Sequence, residues 1–274
     1  MDLFVIDQQR CECCGSCVAV CPLGMIKMAG PRAFPEPAAK NAAHCINCGH
    51  CVSICPHGAF SLATMPSEQC EKIRWDLMPA LENVETMIRA RRAIRNYKAE
   101  AVPAEVVTRL IDTARYAPTG KNVQLLNWLV IQSRDQLDGL ITHVIDWMKD
   151  MIVNQHHMAE AFGLAGVVEA RQAGKDPILR GAPALVLVYA PVNYRGGAVD
   201  ATIALTTFEL AAFAAGLGTC WAGFFQIAAA MWAPLHKALA LPEGQAACGA
   251  MMLGYPRLRY KRVPQRHKAN ITWR

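Results

Sequence analysis

The sequence predicts an α+β protein in two parts: a small cysteine-rich module, then a larger sandwich of helices around a sheet. Three observations predict it. Ten of the 12 cysteines lie within the first 70 of 274 residues, leaving only Cys220 and Cys248 beyond. From about residue 84 helical and strand signals alternate. No Gly-x-Gly-x-x-Gly follows any expected strand, so a dinucleotide-binding Rossmann domain is not supported, and neither a phosphate-binding Gly-Lys-Ser/Thr loop nor a His-Glu-x-x-His motif occurs. With 53% hydrophobic and 18% charged residues, the chain has enough apolar surface to offset the entropy of ordering, which excludes a disordered protein. The expected division is a module over 1–66, a linker over 67–83 and a domain over 84–274.

The first module is built on a repeat. Residues 11–24 and 45–58 both read Cys-x-x-Cys-Gly-x-Cys-Val-x-x-Cys-Pro-x-Gly at an offset of 34. Three thiolates at this spacing can wrap three irons of a cubane on one tight loop, and Gly15 and Gly49 let that loop take positive φ beside the inorganic sulfurs. A pair of zinc sites would more usually show separated Cys-x-x-Cys pairs. The segment 22–44, with Pro31, Pro35 and Pro37, is expected to be a surface loop. Cys13 is a spare thiol, since Asn47 occupies the matching place, and Cys70 falls in the linker. Over roughly residues 3–64 the pattern resembles the bacterial ferredoxins with two [4Fe–4S] clusters. That resemblance implies crossed ligation: Cys11, Cys14, Cys17 and Cys55 on one cluster, Cys45, Cys48, Cys51 and Cys21 on the other.

In the second part, Pro103 opens a helix through Val106, Val107, Leu110, Ile111 and Ala114 that Pro118 ends. Trp128–Ile131 suits a buried strand. Ser133 to Gln136 forms a capping box that opens an amphipathic helix reaching Met148. Ala184–Tyr189 is the next strand. Asp200 to Ala215 is a helix apolar nearly all round, hence central or at a subunit interface, and Gly216 stops it. Cys248–Leu253 is the last strand, followed by Gly254-Tyr255-Pro256 and a basic tail. His156, His157 and Glu160 share a helix, where a solvated face is the expected role because no second set of metal ligands is at hand.

Charge and targeting narrow the function. Residues 1–66 are balanced, with Asp2, Asp7, Glu12 and Glu36 against Arg10, Lys27, Arg32 and Lys40, so the rest carries the whole net charge of +6. It gathers in two bunches: Arg89, Arg91, Arg92 and Arg95, and Arg257, Arg259, Lys261, Arg262, Arg266 and Lys268. No helix-turn-helix or RNA-binding signature accompanies them, so a nucleic-acid partner is not expected; a small phosphate-bearing cofactor held by forked guanidinium donors fits better. The run 210–236 has no Lys, Arg, Asp or Glu and is long enough to cross a bilayer, but Gly216, Gly218, Gly223, Gln226 and Pro234 interrupt it. Two buried segments around a glycine turn are expected, and no membrane partner. The N-terminus has no basic stretch followed by a long apolar one, so reduced, cytoplasmic thiols are expected.

Three segments of the second part resemble the flavin-dependent nitroreductase family: Arg91-Arg92-Ala93-Ile94-Arg95, Ala117-Pro118-Thr119-Gly120-Lys121-Asn122-Val123-Gln124, and Gly254-Tyr255-Pro256 with Arg262-Val263-Pro264. The resemblance implies bound FMN in a homodimer. It assigns Arg91, Arg92, Arg95 and Arg262 to the phosphate and ribityl chain, and Pro118, Thr119, Gly120, Asn122 and Gln124 to the flavin. Trp221, Ala222 and Gly223 would lie by the ring edge. Ala93 stands where the family usually has Ser, which removes one hydroxyl contact.

The function implied is an oxidoreductase in which two [4Fe–4S] clusters pass electrons singly to FMN, which reduces a small planar acceptor, nitro-aromatic or quinone-like. In an alternative, NAD(P)H reduces the flavin and electrons leave through the clusters to an external partner; in another, the chain is a redox-sensing binding protein. No residue is assigned as a catalytic acid. Cys220, beside the flavin segment, and Cys248 carry no assigned role.

Overall fold

The computed structural model describes residues 3–38 and 44–274. Its chain forms two compact units, one of Met1–Met78 with Gly120–Val123, the other of Pro79–Thr119 with Gln124–Arg274.

The repeat in the sequence becomes a repeat in space within the first unit. Strand β1 (Phe4–Ile6) is followed by helix α1 (Ser16–Val20), a two-stranded ribbon of β2 (Ile26–Lys27) and β3 (Glu36–Pro37), helix α2 (His50–Ile54) and β4 (Phe60–Leu62). β1 and β4 pair antiparallel, with Phe4 opposite Leu62. Gly15 and Gly49 cap the two helices at φ 76° and 74°. Cys13 and Asn47, matched in sequence, are matched in conformation at φ 53° and 52°. Cys21 and Cys55 end the helices, and each sulfur accepts a 3.2 Å hydrogen bond from a main-chain N–H, that of Met25 or Ala59. Phe4, Met25, Ile26, Val52, Phe60 and Leu62 form the core beneath. The ribbon lies inside the expected surface loop, and 39–43 of that loop fall outside the described residues.

The second unit is a three-layer sandwich. Helix α3 (Leu81–Ala90) leads into α4 (Ala104–Ala114), then β5 (Asn127–Ile131), α5 (Arg134–Val153), α6 (His157–Ala161), α7 (Leu164–Gln172), β6 (Ala184–Pro191), α8 (Gly197–Ala214), β7 (Gly218–Trp221), α9 (Gly223–Met231), α10 (Ala233–Ala238) and β8 (Gln245–Gly254). The sheet order is β5-β6-β8-β7, every pair antiparallel. Alternation along β6 explains its continuous apolar run: Leu185 and Leu187 pack with α5 and α9, while Ala184, Val186 and Val188 pack with α4 and α8. Both faces are covered, so both must be apolar. The Ser133 hydroxyl caps α5 by accepting from the Gln136 N–H.

The charge-free run 210–236 is the end of α8, then β7, α9 and the start of α10, so a strand stands where only a turn between two segments is expected from sequence. Among the described residues one helix, α8, is long and apolar enough to cross a membrane. Here it lies against α4 and the sheet, with Leu205 and Phe208 fully buried.

Candidate functional site

Among the described residues of the first unit, the cysteines line two cavities. One is lined by Cys21, Cys45, Cys48 and Cys51 with Phe4, Ile26 and Phe60 around them; the other by Cys11, Cys14, Cys17 and Cys55. The structure thus brings the cysteines together in the two crossed sets. Each set needs its outlying cysteine from the other repeat, which the packing of α1 on α2 provides. Burial raises the Cys17 thiol and pushes that of Cys51 up to about 11, so a thiolate in these cavities needs a positive partner. Among the described residues no three His, Cys, Asp or Glu side chains converge on a single metal ion. Four thiols spread around a cavity match a cubane, which takes one thiolate per iron.

Gly120 and Asn122, expected beside the flavin, belong with the rest of Gly120–Val123 to this first unit. The Asn122 amide donates to the carbonyls of Asn47 at 2.9 Å and Ile46 at 3.3 Å, on the loop that carries Cys45 and Cys48. Lys121, Asn122 and Gln124 all hold positive φ.

In the second unit the arginine strip is fixed from both sides. Arg91 caps the end of α3, its N–H bonded to the Met87 carbonyl. The Ile94 N–H donates to the Thr219 carbonyl of β7 at 2.8 Å, and Gly218 is what allows this approach, since a Cβ there would sit 2.4 Å from Ile94. Beyond it Tyr97 pairs with Pro256, Lys98 N–H donates to the Tyr255 carbonyl, and Arg257 N–H donates to that of Asn96. The stretch Asn96–Lys98, directly after the arginine strip, and the stretch Tyr255–Arg257, far apart in sequence, are therefore neighbours.

The Arg91 guanidinium pairs with Glu209 at 3.0 Å, and the same Glu209 oxygen accepts from the Thr219 hydroxyl at 3.1 Å. Arg92 donates to the Arg91 carbonyl at 2.7 Å. Burial raises the Cys220 thiol against the opposing pull of nearby Arg95 and Arg180. Ala93 is half-buried against the α5 side of the core. The Thr119 hydroxyl accepts from the Gln124 N–H at 3.1 Å. Trp221 is half-buried with its ring over Gly249, Ala222 is buried and bonded to the Ala250 carbonyl, and Gly223 starts α9. Pro118 follows α4, and Arg262 stands exposed beyond β8.

The family model described as the nitroreductase family matches residues 88–255. The chain belongs to the nitroreductase family. A 4Fe–4S dicluster domain model matches residues 3–56, which hold all eight repeat cysteines. The chain is 25% identical over 181 residues, 65% of its length, to 87% of a protein of Archaeoglobus fulgidus assigned provisionally as an NADH dehydrogenase/NAD(P)H nitroreductase. Among solved structures, a nitroreductase with bound FMN from Desulfitobacterium hafniense matches with TM-score 0.58 and 22% identity over 71% of this chain and 99% of its own. One from Bacteroides fragilis, also with bound FMN, gives 0.55 and 21% over 69% and 98%. At these identities the likeness is one of fold. Arg262 lies beyond the matched residues.

Three residues at the arginine strip are absent from the sequence-based set: Glu209, Thr219 and Arg180. One signal was available for the first. Glu209 is the only Asp, Glu, Lys or Arg between Asp200 and Lys237, and a charge retained in an apolar helix marks a partner elsewhere.

Proposed function

We propose that this nitroreductase-family oxidoreductase carries one FMN and two [4Fe–4S] clusters, and that the clusters supply the flavin with electrons for reducing a small planar acceptor. The observation that carries the reading is the pair of four-cysteine cavities in a chain that also has a nitroreductase domain. FMN exchanges electrons singly or in pairs, whereas each cluster passes one, so joining them links one-electron donors to two-electron chemistry.

The donor set fits the flavin. Arg91 and Arg92 are half-buried on a strip bonded to β7, and forked guanidinium groups suit a phosphate dianion. The structures from Desulfitobacterium hafniense and Bacteroides fragilis hold FMN. On this reading Arg91, Arg92 and Arg95 grip the phosphate and ribityl chain, Thr119 and Gln124 border the flavin, and the segment Trp221–Gly223 lies by the ring edge, offering the Gly223 N–H because that of Ala222 is held by the Ala250 carbonyl. Each cavity holds one cluster on its crossed cysteine set, in a reducing, cytoplasmic setting. The chain works as a homodimer; Leu258, Tyr260, Val263, Ile271 and Trp273, exposed on the irregular C-terminal stretch, offer apolar surface for a second copy.

A second reading has one observation in its favour: the Archaeoglobus relative bears an NAD(P)H name. In it NAD(P)H reduces the flavin and electrons leave through the clusters.

Anaerobically purified protein tests the cofactor assignment by iron, sulfide and flavin content. About eight irons, four per cubane, with one FMN per chain are expected. Four irons or fewer, or no flavin, would overturn it.

A further inference from the structure

We propose that Glu209 is the positioning residue of the flavin-phosphate grip, acting through Arg91. The inference rests on the FMN reading above and deepens it. Glu209 is 5% exposed, the sole charge along its stretch of chain, and one oxygen accepts from both Arg91 and Thr219. Thr219 in turn holds the Ile94 N–H through its carbonyl. The strip is thus fixed at Arg91 by a side chain and at Ile94 by the main chain, both anchored at β7 and α8.

A buried carboxylate is a poor device for stability alone. Its desolvation offsets most of what the pair contributes, and an apolar side chain of similar size serves as well. Its distinct contribution is geometric. A free arginine samples many rotamers, whereas one edge of this guanidinium is held by Glu209 while the side chain keeps 28% of its surface open. The remaining N–H groups are then set in one direction before a phosphate arrives, so less freedom is lost on binding.

The opposite consequence is also physical: a carboxylate beside the grip lowers its positive charge and competes for Arg91. The two predict opposite signs for removing Glu209. FMN and riboflavin, which lacks the phosphate, are titrated by flavin-fluorescence quenching into flavin-stripped, cluster-loaded chain, for wild type, Glu209→Gln, Glu209→Leu, Arg91→Ala and the Arg91→Ala/Glu209→Leu double variant. Positioning predicts that Glu209→Leu weakens FMN by about tenfold, the loss of one charge-assisted hydrogen bond, and leaves riboflavin unchanged. Glu209→Gln, whose amide oxygen still accepts from both donors, rescues most of the affinity, and in the Arg91→Ala background Glu209→Leu adds nothing. Glu209→Met, closer in stem length, gives the same comparison should the leucine variant not fold. FMN binding that is unchanged or tighter in Glu209→Leu overturns the proposal, as does equal weakening of FMN and riboflavin. Wild type that binds neither flavin is a failure of the FMN reading itself and is seen before any variant is compared.

Discussion

Arg91 and Glu209 are joined by a 3.0 Å ion pair that ties the end of α3 to the C-terminal half of α8 across 118 positions of sequence. The carboxylate is almost wholly enclosed, so removing its partner leaves a charge served, among the described residues, by the Thr219 hydroxyl. Arg91→Ala is expected to destabilise the second unit by about 2 kcal/mol, below the range for fully buried pairs because Arg91 is partly open to solvent. Differential scanning calorimetry of flavin-free protein should show that unit melting about 4–8 °C lower; an unchanged melt contradicts a structural role for the pair.

The crossing of the arginine strip over β7 depends on Gly218. A methyl group there would lie 2.4 Å from Ile94, and both are packed between layers, so Gly218→Ala is expected to cost about 1–3 kcal/mol through overpacking. Shortening the obstructing side chain in Gly218→Ala/Ile94→Ala should recover part of that loss. Additive losses in chemical denaturation would show that the two residues do not meet.

The two cluster loops should respond unequally to the same change. Gly15 and Gly49 share a left-handed conformation, so Ala at either position is strained by about 1 kcal/mol. At Gly49 the new methyl would also meet the Met65 sulfur at 2.7 Å, whereas at Gly15 the nearest atom, the Met28 sulfur, is 3.8 Å away. Gly49→Ala should therefore lose iron faster than Gly15→Ala when bleaching of the cluster absorbance is followed under a chelator; the reverse order counts against this geometry.

Cys13 occupies a left-handed position that its repeat partner fills with Asn47, a residue that tolerates this conformation better. Cys13→Asn is expected to leave the iron content unchanged and the module no less stable. Cys14→Ala, which removes a member of the first cavity's set, should lower iron by about four per chain. Iron loss in Cys13→Asn comparable to that in Cys14→Ala would make Cys13 a ligand.

Two buried groups, Cys220 and Tyr97, and the half-buried Cys248 set an alkaline limit on the second unit. Burial raises Cys220 and Cys248, and it raises Tyr97 far above the ordinary phenol range. A group whose folded pKa is raised adds stability that is full below its unfolded value, about 8.5 for a thiol, and that is lost as pH rises through the folded value. The melting temperature should fall from about pH 8.5 upward, less steeply in Cys220→Ala. An identical slope in that variant would remove Cys220 from the cause.

Much of this was legible in residues 1–66 because the repeat is local: cysteines, glycines and the Cys13/Asn47 mismatch act within one turn of chain. Strands such as Ala184–Tyr189 and the Ser133 cap were equally readable from runs and spacing. What escaped was non-local. β7 is four residues, Gly-Thr-Cys-Trp, too short for a period, and becomes a strand by pairing with Met251–Gly254. The ribbon of Ile26–Lys27 with Glu36–Pro37 has the same cause. Glu209 finds Arg91, and Asn122 finds Asn47, only once the chain is folded.

The central claim is that the clusters feed the flavin, and anaerobic stopped-flow spectroscopy tests it most directly. Wild type and a Cys11→Ala/Cys45→Ala variant, both loaded with FMN, are mixed with a low-potential one-electron donor and, separately, with NAD(P)H. The account predicts rapid flavin bleaching by the one-electron donor in wild type, loss of that phase in the variant, and slow bleaching by NAD(P)H in both. Rapid bleaching of the variant by NAD(P)H, or bleaching by the one-electron donor at the wild-type rate, would contradict it.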